Sequence, residues 1–405
     1  MTTTNMAIPT PDVPDPLLEG AIPETPPRPT FEKPDLSEPW YRPAKQYLRR
    51  VQWNADILRL LNLLPGSRPG EATTIRYVGL PGQHHFDVLS MGKICGAKNL
   101  RIDYLGFRSG GVSDAMVLNL RELQALSTFD HYTQNSVTVR DCVENIGLKN
   151  TLATNAFEER GPFDVVNLDV CGGILHGNTT PLLNAVKYVL SSQVQRNDPW
   201  LLFVTTTAKA DDIEHAVITK FFSTVITNCD TVTEFKDELI NVAAKIGISA
   251  EESLENPTGL QQDGFLRFFT LAFGKWLLAN LAQNSPRATV TLQSVYSFRN
   301  KDRTEPEMLS LAYLISPVIS GGADPSGLTN PGYPSPTKEY TDSSVGLIAS
   351  SINGIKDLDH VWHQEPQLKR KIIEECEALL KAIGVDEIGL QGWMQQYGLN
   401  VAADA

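Results

Sequence analysis

Residues 163–173, FDVVNLDVCGG, and residues 200–208, WLLFVTTTA, decide the fold. Each is a short, nearly continuous apolar run. A strand with one wet face alternates polar and apolar side chains, whereas a strand covered on both faces does not. The two runs therefore read as central strands of a parallel sheet. Between them, residues 179–192 repeat apolar side chains at helical spacing, the crossover that a parallel pair requires.

The same alternation extends toward the N-terminus. Strands are expected at 75–80, 100–105 and 151–154, with helices at 84–95, 113–126 and 136–147. Residues 208–283 read as a helical insert, with Gly247 a C-cap and Pro257 a break. The period then changes from helical to two. Residues 288–298 and 309–315 alternate, which describes an antiparallel pair at the end of the sheet. The expectation is an α/β chain: a Rossmann-like, mostly parallel sheet over 70–316, helices on both faces, and a closing antiparallel hairpin. Helical additions flank it at 40–66 and 347–405. Residues 317–346, rich in Pro, Gly and Ser, read as a linker. Ten of the 26 prolines fall in residues 1–39, a composition that buries too little apolar surface to order itself.

Composition excludes some classes. The five cysteines are scattered without a CxxC pair, which argues against a disulfide framework and a structural zinc site. No metal is expected. No apolar run approaches a bilayer's thickness and the N-terminus lacks a secretory pattern, so the expected setting is the cytoplasm, without a membrane. A net charge of −12 repels polyanions at long range, so RNA or DNA would need a local basic patch.

One such patch is legible. In residues 40–53, WYRPAKQYLRRVQW, Arg42, Lys45, Arg49 and Arg50 interleave with aromatic rings that include Trp53. Cations that neutralise phosphates beside rings that stack on bases suit a single strand. The plainer alternative is a solvated basic face with its aromatics docked on a core.

In an open α/β sheet, ligands bind beyond the carboxyl ends of the strands. There the turn VGLPGQHH (78–85) supplies Gly79 and Gly82, which would let a nucleotide-like ligand approach the backbone. A tight turn without a ligand is the other reading, and Pro81 favours it by removing a donor. Asp169, at the end of its strand, could hold an amine, a ribose hydroxyl or a substrate nitrogen. It could equally cap the next helix.

The strand order, the FDVVNLDVCGG…LLNAVKYVL…WLLFVTTTA stretch and the closing antiparallel pair resemble class I S-adenosylmethionine methyltransferases. Within these, the stretch is similar to the tRNA guanine dimethyltransferases. The resemblance implies that Gly79, Gly82 and Asp103 hold the methionine and ribose parts of S-adenosylmethionine. It also implies that Asn155 and Ala156 lie beside the adenine, and that Asp169 faces a nucleobase-like substrate. The sequence departs from that pattern at Val170, where the family has proline, and in its sparser glycine turn. A catalytically degenerate scaffold is therefore the rival expectation, holding a protein partner through the N-terminal arm or the C-terminal helices.

Overall fold

Residues 35–405 form one compact unit, the second of the two into which the chain divides. The computed structural model describes residues 34–65, 72–82, 84–108, 131–170, 172–175, 181–283, 287–300, 303–318 and 336–399. Residues 1–33 of the expected arm over 1–39, the helix at 113–126 and most of the 317–346 linker lie outside the described residues.

An eight-stranded, mostly parallel sheet organises the second unit, in the order β3-β2-β1-β4-β5-β7-β6-β8. Its strands are β1 (Thr73–Gly79), β2 (Leu100–Phe107), β3 (Val137–Val139), β4 (Val165–Asp169), β5 (Trp200–Thr207), β6 (Ala288–Phe298), β7 (Met308–Pro317) and β8 (Ile355–Asp357). The pairs β5–β7 and β7–β6 are antiparallel; every other pair is parallel. This is the Rossmann-like α/β fold with its closing hairpin.

Period-two geometry sends successive side chains to opposite faces, so each central strand serves two cores. Val78, Leu105, Val166, Leu202 and Val204 point into one cluster. Tyr77, Tyr104, Val165, Leu201 and Phe203 point into the other. The first face is covered mainly by helices Pro181–Ser192, His215–Thr231, Gln262–Ala282 and Pro336–Ile352. The second is covered by the N-terminal helical segment and by helices Pro366–Ala382 and Glu387–Gln396. Gln262–Ala282 has the length and apolarity of a bilayer-crossing helix. Its apolar window is 72% buried inside the protein, as a core helix is.

Three expectations are corrected. Residues 136–147 are not a helix: Val137–Val139 forms the edge strand β3, followed by a 3-10 turn at Val143–Asn145. The β-branched run favours a strand. Residues 151–154 are not a strand, because Thr151 caps helix Leu152–Arg160 by accepting a hydrogen bond from the Thr154 backbone N–H. The linker ends early, since a 17-residue helix starts at Pro336 and buries Leu347, Ile348 and Ile352. The C-terminal residues are also more than an addition. They supply β8, which pairs in parallel with β6.

Candidate functional site

The carboxyl ends of β1, β2 and β4 lie side by side, with Gly79 paired to both Gly106 and Asn167. Two residues earlier, Tyr77 is in register with Tyr104, and their rings stack at 5.9 Å. Those rings lean along the strands into the room the glycines leave. A Cβ on Gly79 would lie 2.8 Å from the Tyr77 ring, and one on Gly106 would lie 2.8 Å from the Tyr104 ring. Gly79 therefore makes space for tyrosine rather than for a cofactor. Gly82 sits in the turn at φ +58°, and Trp40 covers it, 3.6 Å from where a Cβ would stand. Left-handed backbone explains the glycine there without a ligand.

The cover is the N-terminal helical segment, formed by Pro43–Tyr47, a π-helical stretch Leu48–Trp53, and Asn54–Leu61. One turn apart on it, Lys45 pairs with Asp169 and Arg49 pairs with Asp87. The Arg49–Asp87 distance is 3.0 Å. Arg49 also donates to the Trp40 carbonyl at 3.0 Å and lies over the Phe86 ring. All four side chains are nearly enclosed, Lys45 and Asp169 being 7% and 12% exposed. Burial raises the Asp87 pKa, and the Arg49 charge opposes that rise. Buried charges persist only when paired, so these ion pairs fix how the helix docks.

Neighbouring contacts share this polar character. The Tyr41 hydroxyl lies 2.7 Å from His84 Nδ1. Burial pulls the His84 pKa down to about 4 and pushes Tyr41 up to about 12. A neutral imidazole therefore accepts from a protonated phenol. Gln52 donates to the Ser310 carbonyl at 2.9 Å, and the Ser310 hydroxyl donates to Gln52 Oε1 at 2.6 Å.

The basic and aromatic residues of the expected single-strand surface make the following contacts. Arg42 donates to Asn300 at 2.8 Å, Arg50 pairs with Glu375, and Lys45 and Arg49 are the buried cations above. Trp53 is 2% exposed and packs against Phe203. Helical periodicity turns Lys45, Arg49 and Trp53 inward, whereas the Arg50 side chain stays 37% exposed. Lys45, Arg49 and Trp53 thus make the contacts of a docked helix.

The remaining expected site residues are not brought together. Asp103 stands mid-strand in β2, where it pairs with Arg160 and accepts from Thr133. Asn155 and Ala156 lie on helix Leu152–Arg160 rather than at a strand end; Asn155 is exposed and Ala156 packs on the first core. Sequence reasoning missed Asp87, Asn167, Tyr77 and Tyr104. One signal was available: Lys45 and Arg49 are four residues apart on an otherwise core-facing helix stripe, and inward cations at that spacing require inward acids. Among the described residues, no three His, Cys, Asp or Glu side chains cluster as metal ligands do.

The solved structure of the YcgJ protein from Bacillus subtilis is similar over 65% of this chain and 95% of its own, at 11% identity and a TM-score of 0.22. A likeness of that size places no residue of one chain on the other. No curated protein matches. The PP_RS20740-like family profile, in contrast, matches residues 35–395, nearly the whole second unit with its covering helix, sheet and C-terminal helices. The chain belongs to the PP_RS20740-like family.

Proposed function

We propose that this chain is a methyltransferase-type Rossmann protein acting as a catalytically silent scaffold, its ligand crevice given over to its own N-terminal helix. The Lys45–Asp169 pair carries this reading. In the methyltransferase resemblance Asp169 is the substrate-facing acid, and here an internal ammonium covers it. Tyrosine rings at Gly79 and Trp40 at Gly82 fill the places that the cofactor's methionine part would need. A protein partner would then engage the outer faces of the C-terminal helices or the N-terminal arm. Calorimetry of the full chain with S-adenosylmethionine tests the reading. No heat is expected, and a dissociation constant below roughly 100 µM would defeat it.

A second reading is an S-adenosylmethionine-dependent enzyme whose helix withdraws. The strand order β3-β2-β1-β4-β5-β7-β6 with antiparallel β7, and an acid kept at the end of β4, favour it. Asp169 would then orient a substrate nitrogen, in a nucleobase-type substrate, against the methyl group. Under this reading Lys45→Met frees Asp169, and cofactor heat appears in the variant alone.

A further inference from the structure

The Lys45 ammonium sits in a setting of more general chemistry than a surface ion pair. It meets the Asp169 carboxylate, and it lies over the Phe298 ring, 5.8 Å from the centroid. A carboxylate joined to an aromatic face is the combination that holds alkylammonium groups, through charge-assisted hydrogen bonding and cation–π attraction. A further acceptor stands close in the sequence. Asn167, two residues before Asp169 and on the same face of β4, is fully buried, and its Oδ1 accepts no hydrogen bond among the described residues. An ammonium has three donors and no acceptor, so spare acceptors suit it, whereas a neutral alcohol gains less. Asp87 lies near enough for its charge and that of Asp169 to repel, although Arg49 offsets it.

We propose that Asp169 and Phe298 form an alkylammonium-binding site at the end of β4, of which Lys45 is the internal occupant, with the spare Asn167 acceptor two residues back on the same strand face. Its external ligands are amines of the lysine side-chain or polyamine class, which enter where the helix yields. This rests on the reading that the N-terminal helix covers a ligand crevice, but not on whether S-adenosylmethionine binds there. No covalent step is involved. The site trades one ammonium for another, so the crevice keeps its charge balance.

The test empties the site and offers it the missing fragment. Lys45→Ala removes three methylenes and the amine, which n-propylammonium replaces atom for atom. Melting temperature is followed against n-propylamine at fixed pH and ionic strength, with n-propanol as the uncharged isostere. The expected result is a saturable rise in the Lys45→Ala variant, half-complete at a concentration on the order of millimolar. Propanol should be at least about tenfold weaker, the factor that one charge-assisted hydrogen bond carries. Lys45→Met, which fills the space, should show no rise. If Lys45→Ala is unfolded without amine, the same titration reads recovery of the melting transition. Equal effects of amine and alcohol would overturn the proposal, as would an unchanged amine response in Lys45→Ala/Asp169→Asn. Cofactor heat in the unmodified chain would sink the scaffold reading and leave the amine result standing.

Discussion

The two faces of this sheet are built from different chemistry, although the same strands supply both. On the first, Phe221, Phe265, Phe269, Phe273 and Trp276 pack ring to ring at 5.6–6.5 Å between helices His215–Thr231 and Gln262–Ala282. Lys275 is a buried charged group there, hydrogen-bonded to Ser344 at 2.5 Å and set against the Phe235 and Tyr340 rings. On the second face the covering helix brings in Lys45, Arg49, Gln52 and Asp56, all buried. Apolar area stabilises whatever register it packs in. Buried ion pairs add little net stability, yet each tolerates only one docking geometry. The comparison assigns stability to the first face and orientation to the second.

The largest effect should therefore lie on the first face. Phe269→Ala is expected to cost about 3–5 kcal/mol, the usual loss for emptying a large aromatic site. Urea denaturation would measure it, with the denaturant slope unchanged. A loss below about 1 kcal/mol would mean that the ring stack collapses freely, and the contrast between the faces would fail.

On the second face, Arg49→Met should cost about 3 kcal/mol, the lower end of the range for breaking a buried pair, because Lys45 still lowers the Asp87 charge penalty. Adding Asp87→Leu should restore most of that stability, since no uncompensated carboxylate then remains. Stability recovered while the helix loses its protection from proteolysis would separate orientation from stability. A double variant as unstable as the single one would show that the pair itself holds the fold.

The sequence carried the architecture further than the site. Parallel strands covered on both faces leave unbroken apolar runs such as WLLFV, and the hairpin's alternation from Ala288 to Phe298 announced the change of pairing. Short elements were less legible: three residues of β3 give no period, and Thr151 as a cap outweighed the strand propensity around it. At the site, Asp169 was found at its strand end because topology puts it there. What occupies it was hidden. Lys45 lies 124 residues away, and its spacing from Arg49 on a core-facing stripe calls for inward acids without saying which ones.

A pH-dependent effect concerns Lys275. Burial lowers its pKa from 10.5 to about 7. Between those values the unfolded chain binds a proton that the folded chain does not, so folding stability should rise as the pH increases from 7 to 10.5. The slope from this group is at most about 1.4 kcal/mol per pH unit. Below pH 7 both states are protonated and its contribution is flat, with the full cost of the buried charge in place. Lys275→Met should remove this slope, which urea titrations at pH 6, 8 and 9.5 would reveal. A slope that persists in the variant would assign it to other groups.

The smallest effect is the sharpest probe of how the cover is held. Tyr41→Phe deletes one hydroxyl and leaves His84 Nδ1 without the donor at 2.7 Å. The expected cost is about 1 kcal/mol at pH 7, one buried hydrogen bond. His84 is neutral in the folded protein down to about pH 4, against an ordinary value of 6.5. Folding stability from this group is therefore complete above 6.5 and is lost as the pH falls toward 4, because the unfolded chain takes up a proton first. The hydrogen bond itself needs a neutral acceptor. The gap between Tyr41→Phe and the unmodified chain should hold above pH 4 and close below it. A double-mutant cycle with His84→Leu isolates the pair, and coupling should be near 1 kcal/mol at pH 7. Coupling indistinguishable from zero would mean that Trp40 and the two ion pairs position the helix without this contact, leaving the glycine turn fastened by packing alone.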